Sequence, residues 1–271
     1  MSRRRIPLFV GLIVVVLTSA AAMFVASASA APQAGEEVRG TLNDWGATPW
    51  MMSASLGNTD IYNSAQIPSC GNAEFKFFKS PNNWYGNGAT ATFGSILTGL
   101  GDPSGNISFA CTGLKHYSWK WDGGSRGVLF ELSAPPVEVT SVTRTPTSVP
   151  PSTAATITAT LSATPPAEQR VWLRYAINND WGASPIVEMT GSGTTRSATI
   201  PGQSSGVAVA YYVFTSATAT SIAPGDADLM TLTANTNGGA NYAYTVAAPP
   251  PPISGARAIW LDRESIAWNG T

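Results

Sequence analysis

Histidine is almost absent from this chain: His116 stands alone among 271 residues. A triad built on an imidazole needs that side chain beside a nucleophile and an acid. His116 therefore reads as a surface or strand-end residue. Cysteine is nearly as scarce. Cys70 and Cys111 are the only two, and they lack the paired spacing of a zinc site. Charged side chains make up 11% of the chain. Glycoside cleavage needs two carboxylates held across a sugar cleft, and the 16 acidic residues are scattered with no suggestion of a shared pocket. Asp226-Ala227-Asp228 comes nearest to a calcium motif, but a bare Asp-x-Asp in a Gly-rich stretch reads as a turn. The expectation is no catalytic residue, no metal and no cofactor.

Sustained helical periodicity is missing too. Gly, Pro, Ser, Thr and Asn are abundant, which suits short strands joined by many turns and disfavours helices. One long apolar run exists, Ile6 to Val25. It follows Arg3, Arg4 and Arg5 and precedes Ala28-Ser29-Ala30, the order of a secretory signal peptide over residues 1–30. The run is long enough for an uncleaved membrane anchor to stand as the alternative. Cleavage would take three arginines and no acids, leaving 12 basic against 16 acidic side chains. Such a chain has no basic face for nucleic acid and, once cleaved, no membrane segment. It would be secreted, extracellular or at the cell surface. Export permits a disulfide, and Cys70–Cys111 is the simplest pairing; two separate buried thiols are the alternative.

What is present is a repeat. Asn43-Asp44-Trp45-Gly46-Ala47-Thr48-Pro49-Trp50 returns as Asn179-Asp180-Trp181-Gly182-Ala183-Ser184-Pro185-Ile186, identical at six of eight positions and starting 136 residues later. Each copy follows a strand-like apolar run and sets turn formers around one Trp. Two related β modules are expected, over 38–132 and 137–247, with Pro135-Pro136 at the junction. Residues 248–255 form a proline-rich linker, and 256–271 resume apolar patterning as the start of a further, truncated domain.

In the second module Val171, Leu173, Tyr175 and Ile177 share one strand face, with Trp172 and Arg174 opposite. Val207, Val209, Tyr211 and Val213 form a similar face, as do Tyr242, Tyr244 and Val246. In the first module, strands are predicted at 74–78, 107–111, 117–121 and 128–132, with long loops between Ser80 and Gly105. The fold class is all-β, two tandem antiparallel β-sandwich modules.

The first module carries 14 aromatics between residues 38 and 132, together with all four lysines of the chain. A pyranose packs its C–H face on an aromatic ring while nearby polar groups meet its hydroxyls. The candidate carbohydrate-binding residues are Trp45, Trp50, Lys79, Asn83, Trp84 and Tyr85, with Asn82, Asn87 and Asp122 as further polar neighbours. Core packing is the competing role for any of these rings, and it is the reading for Trp119 and Trp121, two apart on one strand face.

Arg39-Gly40-Thr41-Leu42-Asn43-Asp44-Trp45-Gly46, Trp50-Met51-Met52, Glu74-Phe75-Lys76-Phe77, Trp84-Tyr85-Gly86, Gly105-Asn106-Ile107-Ser108-Phe109 and Tyr117-Ser118-Trp119-Lys120-Trp121-Asp122 occur in that order. On these phrases the first module resembles the starch-binding modules of secreted pullulanase-type glycoside hydrolases. The second, through Val171-Trp172-Leu173-Arg174-Tyr175 and Ala210-Tyr211-Tyr212-Val213-Phe214, resembles immunoglobulin-like or fibronectin-type spacers, which makes Trp181 a loop anchor. Ala256-Arg257-Ala258-Ile259-Trp260-Leu261-Asp262-Arg263-Glu264-Ser265-Ile266-Ala267-Trp268 resembles the opening of the domain that follows in pullulanases. The resemblance implies an α-glucan partner and a catalytic domain beyond this chain. The competing expectation is an extracellular adhesion or spacer protein.

Overall fold

The computed structural model describes residues 35–217 and 219–248. Residues 1–30, expected as a signal peptide, residues 249–255 of the expected linker and the segment 256–271 lie outside the described residues. Ten strands precede Pro135: β1 (Glu36–Gly40), β2 (Trp50–Met51), β3 (Ser53–Ala54), β4 (Asp60–Asn63), β5 (Gly71–Lys79), β6 (Asn83–Tyr85), β7 (Ile96–Leu97), β8 (Ile107–Cys111), β9 (His116–Trp121) and β10 (Gly127–Leu132). Eight follow: β11 (Val139–Thr145), β12 (Ala155–Leu161), β13 (Gln169–Ile177), β14 (Ile186–Glu188), β15 (Thr195–Ile200), β16 (Ala208–Ala217), β17 (Thr233–Asn235) and β18 (Tyr242–Thr245). A single turn of α-helix, α1 (Ala227–Met230), precedes β17. The fold is all-β, and the two groups of strands share no sheet.

In the first module one sheet runs β2-β1-β5-β6, with β8 also on β5, and the other runs β3-β4-β9-β10-β7. Strand alternation explains the core between them. Ala73, Phe75 and Phe77 of β5 point inward to meet Tyr117, Trp119 and Trp121 of β9, all fully buried. Phe77 stacks on Trp121 with centroids 5.2 Å apart. Such aromatic contacts add directional attraction to the large apolar area they remove from water. The Cys70–Cys111 disulfide ties the approach to β5 to the end of β8. One expectation needs correction: residues 80–105 are not all loop. Asn83, Trp84 and Tyr85 pair with Lys79, Phe78 and Phe77, making β6 an edge strand, and Ile96-Leu97 forms β7 on β10.

The second module sets β11-β12-β15 against β14-β13-β16-β17, with β18 on β16. Val171, Leu173 and Tyr175 of β13 and Val209, Tyr211 and Val213 of β16 fill its core.

The opposite faces of those strands are also buried. Trp172, Tyr212 and Phe214 pack with Leu229, Met230 and Leu232 against Ile61, Val128, Phe130 and Leu132 of the first module, forming a third apolar cluster. β10 is thus buried on both sides, Leu129 in the first core and Val128, Phe130 and Leu132 in the seam. Polar contacts frame it: Arg126 pairs with Asp226, and Thr59 Oγ1 donates to the Asp228 carbonyl at 3.4 Å. The two modules meet through a continuous hydrophobic seam.

Candidate binding site

The sheet that does not form the seam has an outward face of its own. Val38 points into the core, so its neighbours Glu37 and Arg39 point out. In β5, Phe77 points inward and Phe78 therefore outward, yet Phe78 is only 5% exposed. An outward phenylalanine needs a cover. Trp84, its direct cross-strand partner on β6, supplies it edge-on at 4.9 Å. Trp45 reaches the same place from the β1–β2 connection, 6.3 Å from Trp84 and tilted by 53°. Both indoles are half-buried. Trp84 Nε1 donates to Asn82 Oδ1 at 3.0 Å.

Arg39 lies beneath this pair. Its guanidinium carbon is 3.4 Å from the Phe78 ring centroid and 5.3 Å from that of Trp84, within the range of cation–π attraction. Glu37 grips it twice, accepting from Nε at 2.9 Å and from Nη2 at 3.2 Å. The loop over it is unusual. Asp44 and Trp45 have φ of 49° and 52°, a left-handed backbone that costs a non-glycine residue about 1–3 kcal/mol. Gly46 follows at φ 104°, and a Cβ there would stand 2.9 Å from Arg39 Nε. Only glycine lets the turn close on the guanidinium.

The other expected site residues are placed differently. Trp50 stacks on Tyr62 at 5.0 Å and leans on Trp119 at 5.3 Å, packed against the core. Tyr85 faces inward to Trp121 at 5.0 Å. Lys79 and Asn83 share a register row with Glu36 on the inward face. Lys79 Nζ lies 2.9 Å from Glu36 Oε1, an ion-pair contact without hydrogen-bond alignment. Asn87 and Asp122 hold local turns through Ala89 N and through Gly124 N and Arg126 N. Of the six expected residues, the fold brings together Trp45 and Trp84; Trp50, Tyr85, Lys79 and Asn83 face the core side. Arg39, Glu37 and Phe78 are the members missing from the expected site residues. A signal for them exists in the doubled Phe77-Phe78, which breaks strand alternation and forces one ring outward.

The second copy of the repeat makes no equivalent face. Trp181 packs on Tyr212 at 5.6 Å, beside the seam cluster. Arg174 lies 5.4 Å from its ring and donates to its carbonyl at 2.8 Å. In both copies an arginine from the preceding strand supports the loop, but Trp181 is engaged by its own module.

Two buried ionisable groups stand apart from this face. Asp60 and Glu36 meet between the sheets, and burial first, then Glu36, raises the Asp60 pKa to about 7. Glu36 Oε1 and Oε2 and Asp60 Oδ1 lack hydrogen-bond donors, so a proton between the two carboxyls supplies one. Lys120 points from β9 into the seam, wholly buried, and donates to Ser55 Oγ at 2.6 Å. Burial lowers its pKa to about 7 against the opposing pull of Asp228 and Asp60. Neither group lies in an open cleft. No group of three or more His, Cys, Asp or Glu side chains among the described residues is arranged to hold a metal, and no helix among them is long and apolar enough to cross a membrane.

No protein-family model matches this chain, and no curated protein matches it either.

Proposed function

We propose that this chain is a secreted, non-catalytic α-glucan-binding region, acting in the manner of the front end of a starch-debranching glycoside hydrolase. The single observation that carries the reading is the Trp45–Trp84 pair, two half-buried indoles 6.3 Å apart on a sheet face outside the module core. Aromatic rings with hydrogen-bonding groups beside them are what a sugar needs; Asn82 stands at the Trp84 edge, and the Arg39–Glu37 pair lies beneath. The 53° tilt suits a chain that turns from one residue to the next, as an α-1,4-glucan does, over a flat ribbon such as cellulose. Binding of this kind would hold a polymer near a catalytic domain by raising effective concentration.

The test is affinity electrophoresis of the whole protein in gels containing soluble starch or hydroxyethyl cellulose. Retardation by starch alone, reduced by Trp45→Ala and by Trp84→Ala, is expected. Equal mobility in both gels would remove the reading. The buried seam favours a second role, a rigid extracellular spacer, and that role predicts no retardation by either polymer.

A further inference from the structure

The two polar residues expected beside the aromatics, Lys79 and Asn83, both lie on the inward side of their sheet, Lys79 against Glu36. We propose that Arg39 is the ligand-binding cation of the Trp45–Trp84 face and the residue that fixes the two rings relative to each other. This inference rests on the carbohydrate-binding reading above and adds the group that organises the site.

Arg39 links the parts of the face. Its guanidinium lies over Phe78, within cation–π range of Trp84, and against Gly46 of the loop that carries Trp45, where a Cβ would displace it. A guanidinium can do this because it is a rigid plate that stacks through its face and donates through its rim; an ammonium donates but has no plate to stack. Glu37 takes two of the rim donors, Nε and Nη2. Nη1 hydrogen-bonds to no described residue, and it is the donor left for a ligand. The Glu37 carboxylate beside it accepts. The pair is neutral overall and presents a donor next to an acceptor, which matches vicinal hydroxyls of an uncharged sugar and gives an anionic ligand no net attraction. Arg39 thus serves in place of Lys79 as the cation of the site.

The experiment uses the full mature chain and maltoheptaose as the probe. Wild type, Arg39→Lys, Arg39→Met and Glu37→Gln are titrated by intrinsic Trp fluorescence, alongside thermal melts and near-ultraviolet circular dichroism. Arg39→Lys is expected to keep a melting temperature close to wild type. It should weaken binding about tenfold or more, as loss of the stacking plate and of the fixed Nη1 donor together implies, and should alter the Trp circular dichroism before sugar is added. Glu37→Gln should do the same to a lesser degree. Arg39→Lys with wild-type affinity and an unchanged spectrum would overturn the proposal, even if Arg39→Met fails to fold. Failure of folded wild type to bind maltoheptaose would instead remove the carbohydrate reading itself; the spectra would still show whether Arg39 positions the rings.

Discussion

Gly57 and Asp228 meet across the seam: a Cβ at 57 would stand 2.0 Å from Asp228 Oδ2, so a side chain there must turn the Asp228 carboxylate away. Gly57 also has φ of 63°, so sterics and backbone both favour glycine. The contact sets α1 of the second module against the β3–β4 turn of the first. Gly57→Ala is therefore expected to destabilise the whole chain by about 1–3 kcal/mol, the scale of a forced backbone or side-chain displacement. Chemical denaturation of the two proteins measures it; an unchanged midpoint would mean that this contact does not constrain the seam.

A stronger probe of the seam is Trp172→Ala. Trp172 is 3% exposed and sits wholly on the outer face of β13. Truncation should cost about 3–5 kcal/mol, typical of a buried Trp. Were Trp172 merely an exposed residue of an isolated module, the change would stay within about 0.5 kcal/mol.

Stability should depend on pH in an unusual way through Asp60 and Lys120. Asp60 carries a folded pKa of about 7, above its ordinary 3.8. The folded state then binds the extra proton between those values, so this contribution is full below pH 3.8 and is lost as pH rises to 7. Lys120 carries a folded pKa of about 7, below its ordinary 10.5. The unfolded state then binds the extra proton, and stability is regained as pH rises from 7 towards 10.5. Together the two groups place a minimum near neutrality. Melting temperatures between pH 4 and 9 should show that valley. Asp60→Asn should flatten its acid limb and Lys120→Met its alkaline limb. An unaltered profile in both variants would contradict the assignment.

The disulfide gives a third test. It closes a sequence separation of 41 residues, which in the chain-entropy account stabilises by a few kcal/mol. Denatured, unreduced protein should show no reactive thiol, and reduction should lower the melting temperature by several degrees. Two reactive thiols per chain would refute the bridge.

How much of this is legible in the sequence depends on range. The period-2 runs at 171–177 and 207–213 mark β13 and β16 because one face of each is uniformly apolar. The same runs leave Trp172 and Tyr212 on the other face, continued by Phe214, a sign that this face is covered as well. What covers it lies in β4 and β10, and no local pattern names a partner that far away. β6 is hidden for another reason. Asn83-Trp84-Tyr85 is three residues between Asn82 and Gly86, which reads as turn, and it becomes a strand only because β5 offers it an edge. The repeated octapeptide flags Trp45 and Trp50 alike. Chain direction after the left-handed turn separates them, sending Trp45 to the outer face and Trp50 to the core.

The most direct test of the central claim is calorimetric titration of maltoheptaose into wild type, Trp84→Ala and Trp50→Ala. Wild type should bind saturably. Trp84→Ala should lose about 1–3 kcal/mol of binding, roughly 5- to 150-fold, with a smaller loss of stability, about 0.5–1.5 kcal/mol, from its contact with Phe78. Trp50→Ala should instead lose stability, by about 3–5 kcal/mol, and bind normally wherever it remains folded. A folded wild type that releases no binding heat, or a Trp84→Ala variant that binds as tightly as wild type, would contradict the account.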